Sequence, residues 1–155
     1  MILRTYQYKC GDCGEVYEGL EATGGYGEFL LRSQSGAFRY VIAYEDAVYP
    51  EVDELLSRDK RYSTLSESEQ SDILQNVFGV ACDPDSAGSQ FKISFPPPCP
   101  KCNSCRIGTF RSTDKIVDVN VSNVSHAEWS YLADRRKEDI ITVALDEWFA
   151  SHGAG

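Results

Sequence analysis

Cys10-Gly-Asp-Cys13 and Cys99-Pro-Lys-Cys102 are two Cys-x-x-Cys pairs within one chain of 155 residues. Each such turn sets two sulfurs on one side of a tight loop, where both reach the same ion. Two turns complete a tetrahedral set of four thiolates, a shell that suits Zn2+ and leaves no open position for water or substrate. The flanking residues fit tight knuckles. Gly14 follows the first pair, where the missing Cβ permits a left-handed conformation. Asn103 holds the same place after the second pair, and Asn is the next most tolerant residue there. Pro100 pre-sets φ inside the second knuckle, and Pro96-Pro97-Pro98 stiffens the approach to it. Cys105 extends that knuckle to Cys-x-x-Cys-x-x-Cys and is the one cysteine placed to substitute for a ligand. Cys82 stands apart and reads as a small buried hydrophobe.

The spacing is unusual, with 85 residues between Cys13 and Cys99. Closing a loop of that length rather than one of about 20 residues adds only about 1.3 kcal/mol. Structural zinc supplies on the order of 10 kcal/mol, so the insertion is tolerable provided it folds on its own account. Disulfides or a thiol redox motif are the competing chemistry. Redox Cys-x-x-Cys pairs open a helix in a thioredoxin-like unit, and neither pair here precedes a helical pattern. Four thiolates around Zn2+ carry a formal charge of −2, which Lys9, Lys101 and Arg106 beside the knuckles are placed to offset.

Tyr6-Gln-Tyr8-Lys-Cys10-x-x-Cys13-Gly14-x-x-Tyr17-Glu18 resembles the opening of zinc-ribbon and rubredoxin-like proteins, especially small regulatory ribbons of the FmdB type. Cys99-Pro100-x-Cys102 is similar to their second knuckle. The resemblance is confined to the two knuckles and their flanks, and implies a rubredoxin-like metal-knuckle fold rather than an activity. A rubredoxin-type iron site fits less well, because the second knuckle lacks that family's glycine and the long insert is foreign to it.

Other chemistry is poorly served. His126 and His152 have no ligand spacing to each other; His126 is placed in the first turn of a helix as a surface residue, and His152 in a frayed tail. No H-E-x-x-H, G-x-S-x-G, P-loop or deaminase signature occurs, and the Gly24, Gly25, Gly27 cluster has no Lys-Ser/Thr and no helix after it. The expectation is a protein that is not an enzyme.

The net charge is −9, and nearly all of it lies in one segment. Residues 45–85 hold 11 acidic groups against Arg58, Lys60 and Arg61, whereas residues 86–113 carry +4 from Lys92, Lys101, Arg106 and Arg111. An acidic chain repels phosphate backbones and steers basic partners. The leading expectation is therefore a protein-interaction module whose acidic face, Glu51, Asp53, Glu54, Glu67, Glu69 and Asp72, docks a basic protein. An inhibitor or immunity protein of a basic nuclease or toxin would have this character. A nucleic-acid-associated regulatory ribbon using Lys92, Lys101, Arg106 and Arg111 is the second reading, and rubredoxin-like electron transfer the third. No apolar run approaches the roughly 20 residues of a membrane span, and MILRTYQYKC lacks a signal-peptide core, so a cytoplasmic location is expected.

The elements that must position these residues follow from periodicity. Strands over 1–9 and 15–20 flank the first knuckle, and a hairpin turning at Ser35-Gly36 joins GEFLLRSQ to AFRYVIAYED, with Tyr40, Ile42 and Tyr44 on one face. A helix over 50–59 opens at Pro50 and buries Val52, Leu55 and Leu56. A second begins with the capping box Ser66-x-x-Glu69 and ends at Gly79. A loop spans 83–89. Phe91, Ile93 and Phe95 form a strand into the second knuckle, and a return strand near 106–112 completes that ribbon arm. A further strand carries Val117, Val119 and Val121. Ser125-x-x-Glu128 then caps a helical stretch with Trp129 and Leu132, and Ile141, Ala144, Leu145 and Trp148 form a core stripe. The Gly-Ala-Gly tail frays. The predicted fold is a single α+β domain: an antiparallel zinc ribbon from 1–21 and 90–113, an insert over 22–89 with a hairpin and helices, and a strand and helix over 114–151.

Overall fold

The computed structural model describes residues 2–22, 25, 27–93 and 96–152. Gly24 and Phe95 lie outside these, as does the Gly-Ala-Gly tail. The fold is mixed α+β. Strands β1 (Ile2–Cys10), β2 (Val16–Ala22), β3 (Glu28–Arg32) and β4 (Phe38–Ile42) precede helices α1 (Val48–Ser57), α2 (Lys60–Ser63) and α3 (Glu67–Val77). A 3₁₀ turn (Phe78–Ala81), β5 (Lys92–Ile93), β6 (Ile107–Asp118), α4 (Ala127–Ser130) and α5 (Asp134–Ser151) follow. Among the described residues the strands form two antiparallel sheets, ordered β2-β1-β6 and β4-β3-β5.

This strand order corrects the predicted ribbon arm. The strand leading into the second knuckle is short and pairs with β3, through Leu31 opposite Ile93. The strand leaving that knuckle pairs instead with β1, from Cys10 opposite Ile107 to Ile2 opposite Asp118. It also absorbs the separate strand expected around Val117, which lies opposite Leu3. Between Arg4 and Tyr6 the register shifts, so residues 113–115 of β6 face only Thr5. That bulge is anchored by the Thr113 hydroxyl donating to the Thr5 carbonyl at 2.8 Å, and it interrupts an otherwise long edge strand.

Most apolar side chains gather elsewhere. The largest cluster joins Leu31 and Val41 of the hairpin, Val52, Leu56, Ile73, Leu74 and Phe78 of the helical segment, and Trp129, Ile141 and Leu145 near the C-terminus. The Ile141–Leu145 stripe thus packs on the insert, as its 3–4 spacing requires. A smaller cluster of Tyr8, Cys10, Tyr17 and Cys99 sits at the knuckles, and Leu3, Leu30 and Val121 form a third. Cys82 is buried, and burial pushes its thiol up to about 12.

Several ends are fixed differently from expectation. Helix α1 begins two residues before Pro50, because the Asp46 carboxylate accepts from the Val48 and Tyr49 amides at 2.9 and 3.1 Å. The Ser66–Glu69 capping box forms as predicted. The box predicted at Ser125 does not cap α4; Asp83 reaches across from the preceding loop and accepts from Ser125 Oγ, Ala127 N and Glu128 N at 2.6, 2.9 and 2.9 Å. His126 is only 13% exposed, with Nδ1 2.6 Å from the Ala81 carbonyl and Nε2 2.8 Å from Asp46. It is a tie between segments rather than a surface residue. His152 stacks on Trp148 with ring centroids 4.0 Å apart, so it ends α5 in an ordered contact.

Gly79 does not end α3 by a left-handed turn. It lies inside the 3₁₀ turn, buried, where a Cβ would overlap the Phe91 carbonyl oxygen. Backbone cannot yield as a side chain can, so Gly79→Ala is expected to cost about 3 kcal/mol or more, measured as a fall in urea unfolding free energy. In the 83–89 loop, buried Asp85 accepts from Ser33 Oγ at 2.6 Å, from Ser35 Oγ, and from the Ala87 and Ser89 amides at 2.9 Å each. These donors, the two serine hydroxyls foremost, hold its carboxyl at about 2. A carboxyl lowered by folding stabilises above its unfolded value near 4 and loses that contribution as pH falls towards 2. Asp85→Asn should therefore be less stable than the parent at pH 7, with the gap narrowing between about pH 4 and 2. A gap independent of pH would contradict this.

Candidate metal centre

The two knuckles adopt the same backbone form. In the first, the Gly14 amide donates to the Cys10 carbonyl at 3.1 Å and the Cys10 amide to the Glu15 carbonyl at 2.8 Å. In the second, the Asn103 amide donates to the Cys99 carbonyl at 2.8 Å and the Cys99 amide to the Ser104 carbonyl at 2.9 Å. Gly14 has φ of 78° and Asn103 of 61°, the left-handed positions their residue types predict. Each turn therefore offers two sulfurs from an equivalent frame, one buried (Cys10, Cys99) and one exposed (Cys13, Cys102).

The four sulfurs of Cys10, Cys13, Cys99 and Cys102 all lie within 4.8 Å of one another. Cys10 Sγ is 3.5 Å from Cys102 Sγ, and Cys13 Sγ is 3.6 Å from Cys99 Sγ. A tetrahedron with metal–sulfur bonds of about 2.3 Å has edges of about 3.8 Å, so these separations are of the right size. Disulfide sulfurs would be about 2.05 Å apart, and all six cysteines are free thiols. Cys105 is exposed and lies outside the group of four.

Electrostatics favours a cation here. The amides of Cys13 and Asp12 point at Cys10 Sγ, at 3.5 and 3.4 Å, and pull its thiol down to about 6. The Ser104 amide favours the Cys102 thiolate too, but the neighbouring Cys10 sulfur and burial outweigh it and push Cys102 up to about 12. Four sulfurs this close cannot all ionise beside one another without a positive charge among them. The arrangement fits one metal ion, which Cys10, Cys13, Cys99 and Cys102 would hold.

A polar frame locks one knuckle to the other. Asp12, inside the first, accepts from Arg106 Nε at 2.8 Å and from Ser104 Oγ. The Arg106 guanidinium also reaches the Gly11 carbonyl, while the Gly11 amide donates to the Arg106 carbonyl at 2.8 Å. Tyr17 of β2 donates its hydroxyl to the Pro97 carbonyl at 2.9 Å, fixing the proline approach against the first sheet. Asp12, Ser104 and Tyr17 carry no local signal in the sequence as site residues, because their partners lie 80 or more residues away along the chain.

The charged candidates scatter. Lys92 lies in β5 of the second sheet, Lys101 and Arg106 at the knuckle, and Arg111 in β6, where it donates to Gln7 at 2.8 Å. They make no single strip along one element. Of the acidic set, Glu51 pairs with Lys137 at 2.7 Å, Asp53 accepts from the Tyr62 hydroxyl at 2.7 Å, and Glu69 closes the α3 capping box. Glu54, Glu67 and Asp72 are exposed, Glu54 with Arg58 3.3 Å away.

Comparison with protein-family models, with curated proteins and with solved structures returns no match. No helix among the described residues is long and apolar enough to cross a membrane.

The geometry sets a thiol count. With metal bound, an aromatic disulfide reagent should react quickly with one thiol, Cys105, since four others are ligands and Cys82 is buried. Chelator should raise the count to five and denaturant to six. Cys105→Ser should abolish the fast thiol without reducing bound metal, whereas Cys102→Ser should lose metal.

Proposed function

We propose that this chain is a zinc-stabilised, non-catalytic interaction module that docks a basic protein surface through its acidic helical segment. The observation behind it is the cluster of four sulfurs, whose chemistry suits a closed structural site with no position left for substrate. Zn2+ is the ion best matched to four thiolates without redox demand, and iron in its place would colour the protein red. The −8 of residues 45–85 supports the choice of a basic partner, because complementary charge speeds encounter and suppresses wrong partners. A nuclease or toxin held by an inhibitor of this kind is the type of partner that fits. The arginines expected to contact nucleic acid are engaged within the fold, Arg106 with Asp12 and Arg111 with Gln7, which favours a protein partner over DNA or RNA.

Elemental analysis of untagged protein should find one zinc per chain, with the knuckle region losing order on chelation. For the docking surface, Glu54→Lys with Asp72→Lys is the informative reversal, because both side chains are exposed, whereas Glu51 and Asp53 have internal partners. Association with the partner captured from source cells should slow by about tenfold at low salt and converge with the parent at high salt. Unchanged capture by a correctly folded double variant would refute the acidic-face reading.

A further inference from the structure

A cleft of about 750 Å3 opens between the β3–β4 hairpin and helices α1 and α3. Phe29, Tyr44, Tyr49 and Tyr62 line it with rings, Asp53 and Glu67 with carboxylates, and no lysine or arginine is among its described lining residues. The volume lies within the roughly 300–1,000 Å3 of small-ligand pockets and exceeds what one side chain fills.

The walls are preorganised. Phe29 and Tyr49 stack with centroids 6.2 Å apart and planes 13° from parallel, and Phe78 backs Tyr49 at 4.8 Å. Tyr44 stands at the rim, 68% exposed, against the bare backbone of Gly27, where a Cβ would come within 3.1 Å of the ring. An exposed tyrosine held in place is a ready face for a cation.

The charge inside is uncompensated. Asp53 takes its hydrogen bond from a neutral donor, the Tyr62 hydroxyl, and makes no ion pair among the described residues. Glu67 makes no ion pair among the described residues, and burial followed by the Asp53 carboxylate pushes the Tyr49 phenol up to about 12. The other large cleft, beside Tyr6, Tyr8 and Phe110, differs in one of its two carboxylates: Glu28 also lines it, but Glu21 is already paired with Arg32 at 2.9 Å and bonded by Tyr8.

We propose that the cleft seats an arginine side chain of the basic partner, with its guanidinium stacked on these rings and paired with Asp53 and Glu67. This rests on the reading of the chain as a module for a basic protein. Arginine suits the site better than lysine, because a planar guanidinium stacks on aromatic faces, pairs with carboxylates in two-pronged fashion and sheds water more easily. The spare volume admits the backbone on either side of it.

The test is an NMR titration of the full zinc-loaded chain with the peptide Gly-Gly-Arg-Gly-Gly and its citrulline counterpart, following the tyrosine rings. Saturable shifts of Tyr44 and Tyr49 are expected with the arginine peptide, with affinity at least about fivefold weaker for citrulline. Tyr44→Ala and Glu67→Gln should each weaken binding by about fivefold or more, and Tyr131→Ala, an exposed tyrosine outside the cleft, should not. Equal response to both peptides, indifference to Tyr44→Ala and Glu67→Gln, or no shift at about 10 mM peptide would overturn the proposal. If the cleft fails while Glu54→Lys/Asp72→Lys still slows partner capture, the acidic-face reading survives alone. If the peptide binds as expected but that reversal changes nothing, the cleft stands and the wider acidic face does not.

Discussion

Four sulfurs within 4.8 Å of one another set the terms for everything around them. Two thiolates about 4 Å apart repel by about 4 kcal/mol at the effective dielectric of a protein surface, and this group contains several such pairs. An ion held among them would convert that repulsion into attraction and fasten residues 10–13 to residues 99–102. β1, which ends in Cys10, lies beside β6, which starts at Ile107, and their pairing runs from the knuckles back to Ile2. The first sheet is thus continuous with the four-cysteine cluster.

Away from the knuckles that sheet is held by a small cluster, Leu3 with Leu30 and Val121, and by Glu21 paired with Arg32. The knuckle cluster contains four buried residues, whereas the cluster under the helices contains seventeen. Nearly all of β6 is exposed or half-exposed, including Phe110 and Ile116. A sheet with so small a buried cluster at its knuckle end is the kind of unit in which a bound metal adds stability. The large cluster, by contrast, is assembled from the 85-residue segment between the knuckles, from Trp129 of α4 and from Ile141 and Leu145 of α5. The long spacing is compatible with this division, because the segment between the knuckles brings most of the buried residues of the large cluster.

The sequence-to-structure agreement follows the same division. Local signals were readable: the knuckle geometry from Gly14 and Asn103, the capping box at Ser66, the hairpin at Ser35-Gly36, and the Ile141–Leu145 stripe. Each is decided by neighbours within a few residues. What failed was non-local. Strand partners of β5 and β6 depend on where the insert sits, which periodicity along one strand cannot report. The same holds for caps supplied from afar. Ser125-x-x-Glu128 has the letters of a capping box, yet Asp83 takes those amides, because an ionised carboxylate makes a stronger acceptor than a serine hydroxyl. Gly79 looked like a helix stop and is instead a close approach of two backbones, a distinction visible only when Phe91 is in place.

The acidic segment shows how folding spends some charges and leaves others. Glu51 is neutralised by Lys137 of α5, and Arg61 pairs with both Asp59 and Asp146, so part of the imbalance serves to dock the C-terminal helix. Glu69 and Asp46 cap helices, where a negative charge also complements the helix dipole. Glu67 and Asp72 make no ion pair among the described residues, whereas Glu54 has Arg58 3.3 Å away and Asp53 takes the Tyr62 hydroxyl in the aromatic cleft. Charge alone attracts any basic surface, whereas charge set against fixed aromatic planes selects among cations by shape. If the segment binds a partner, its breadth of charge would govern how fast the two meet, and the cleft would govern which side chain stays.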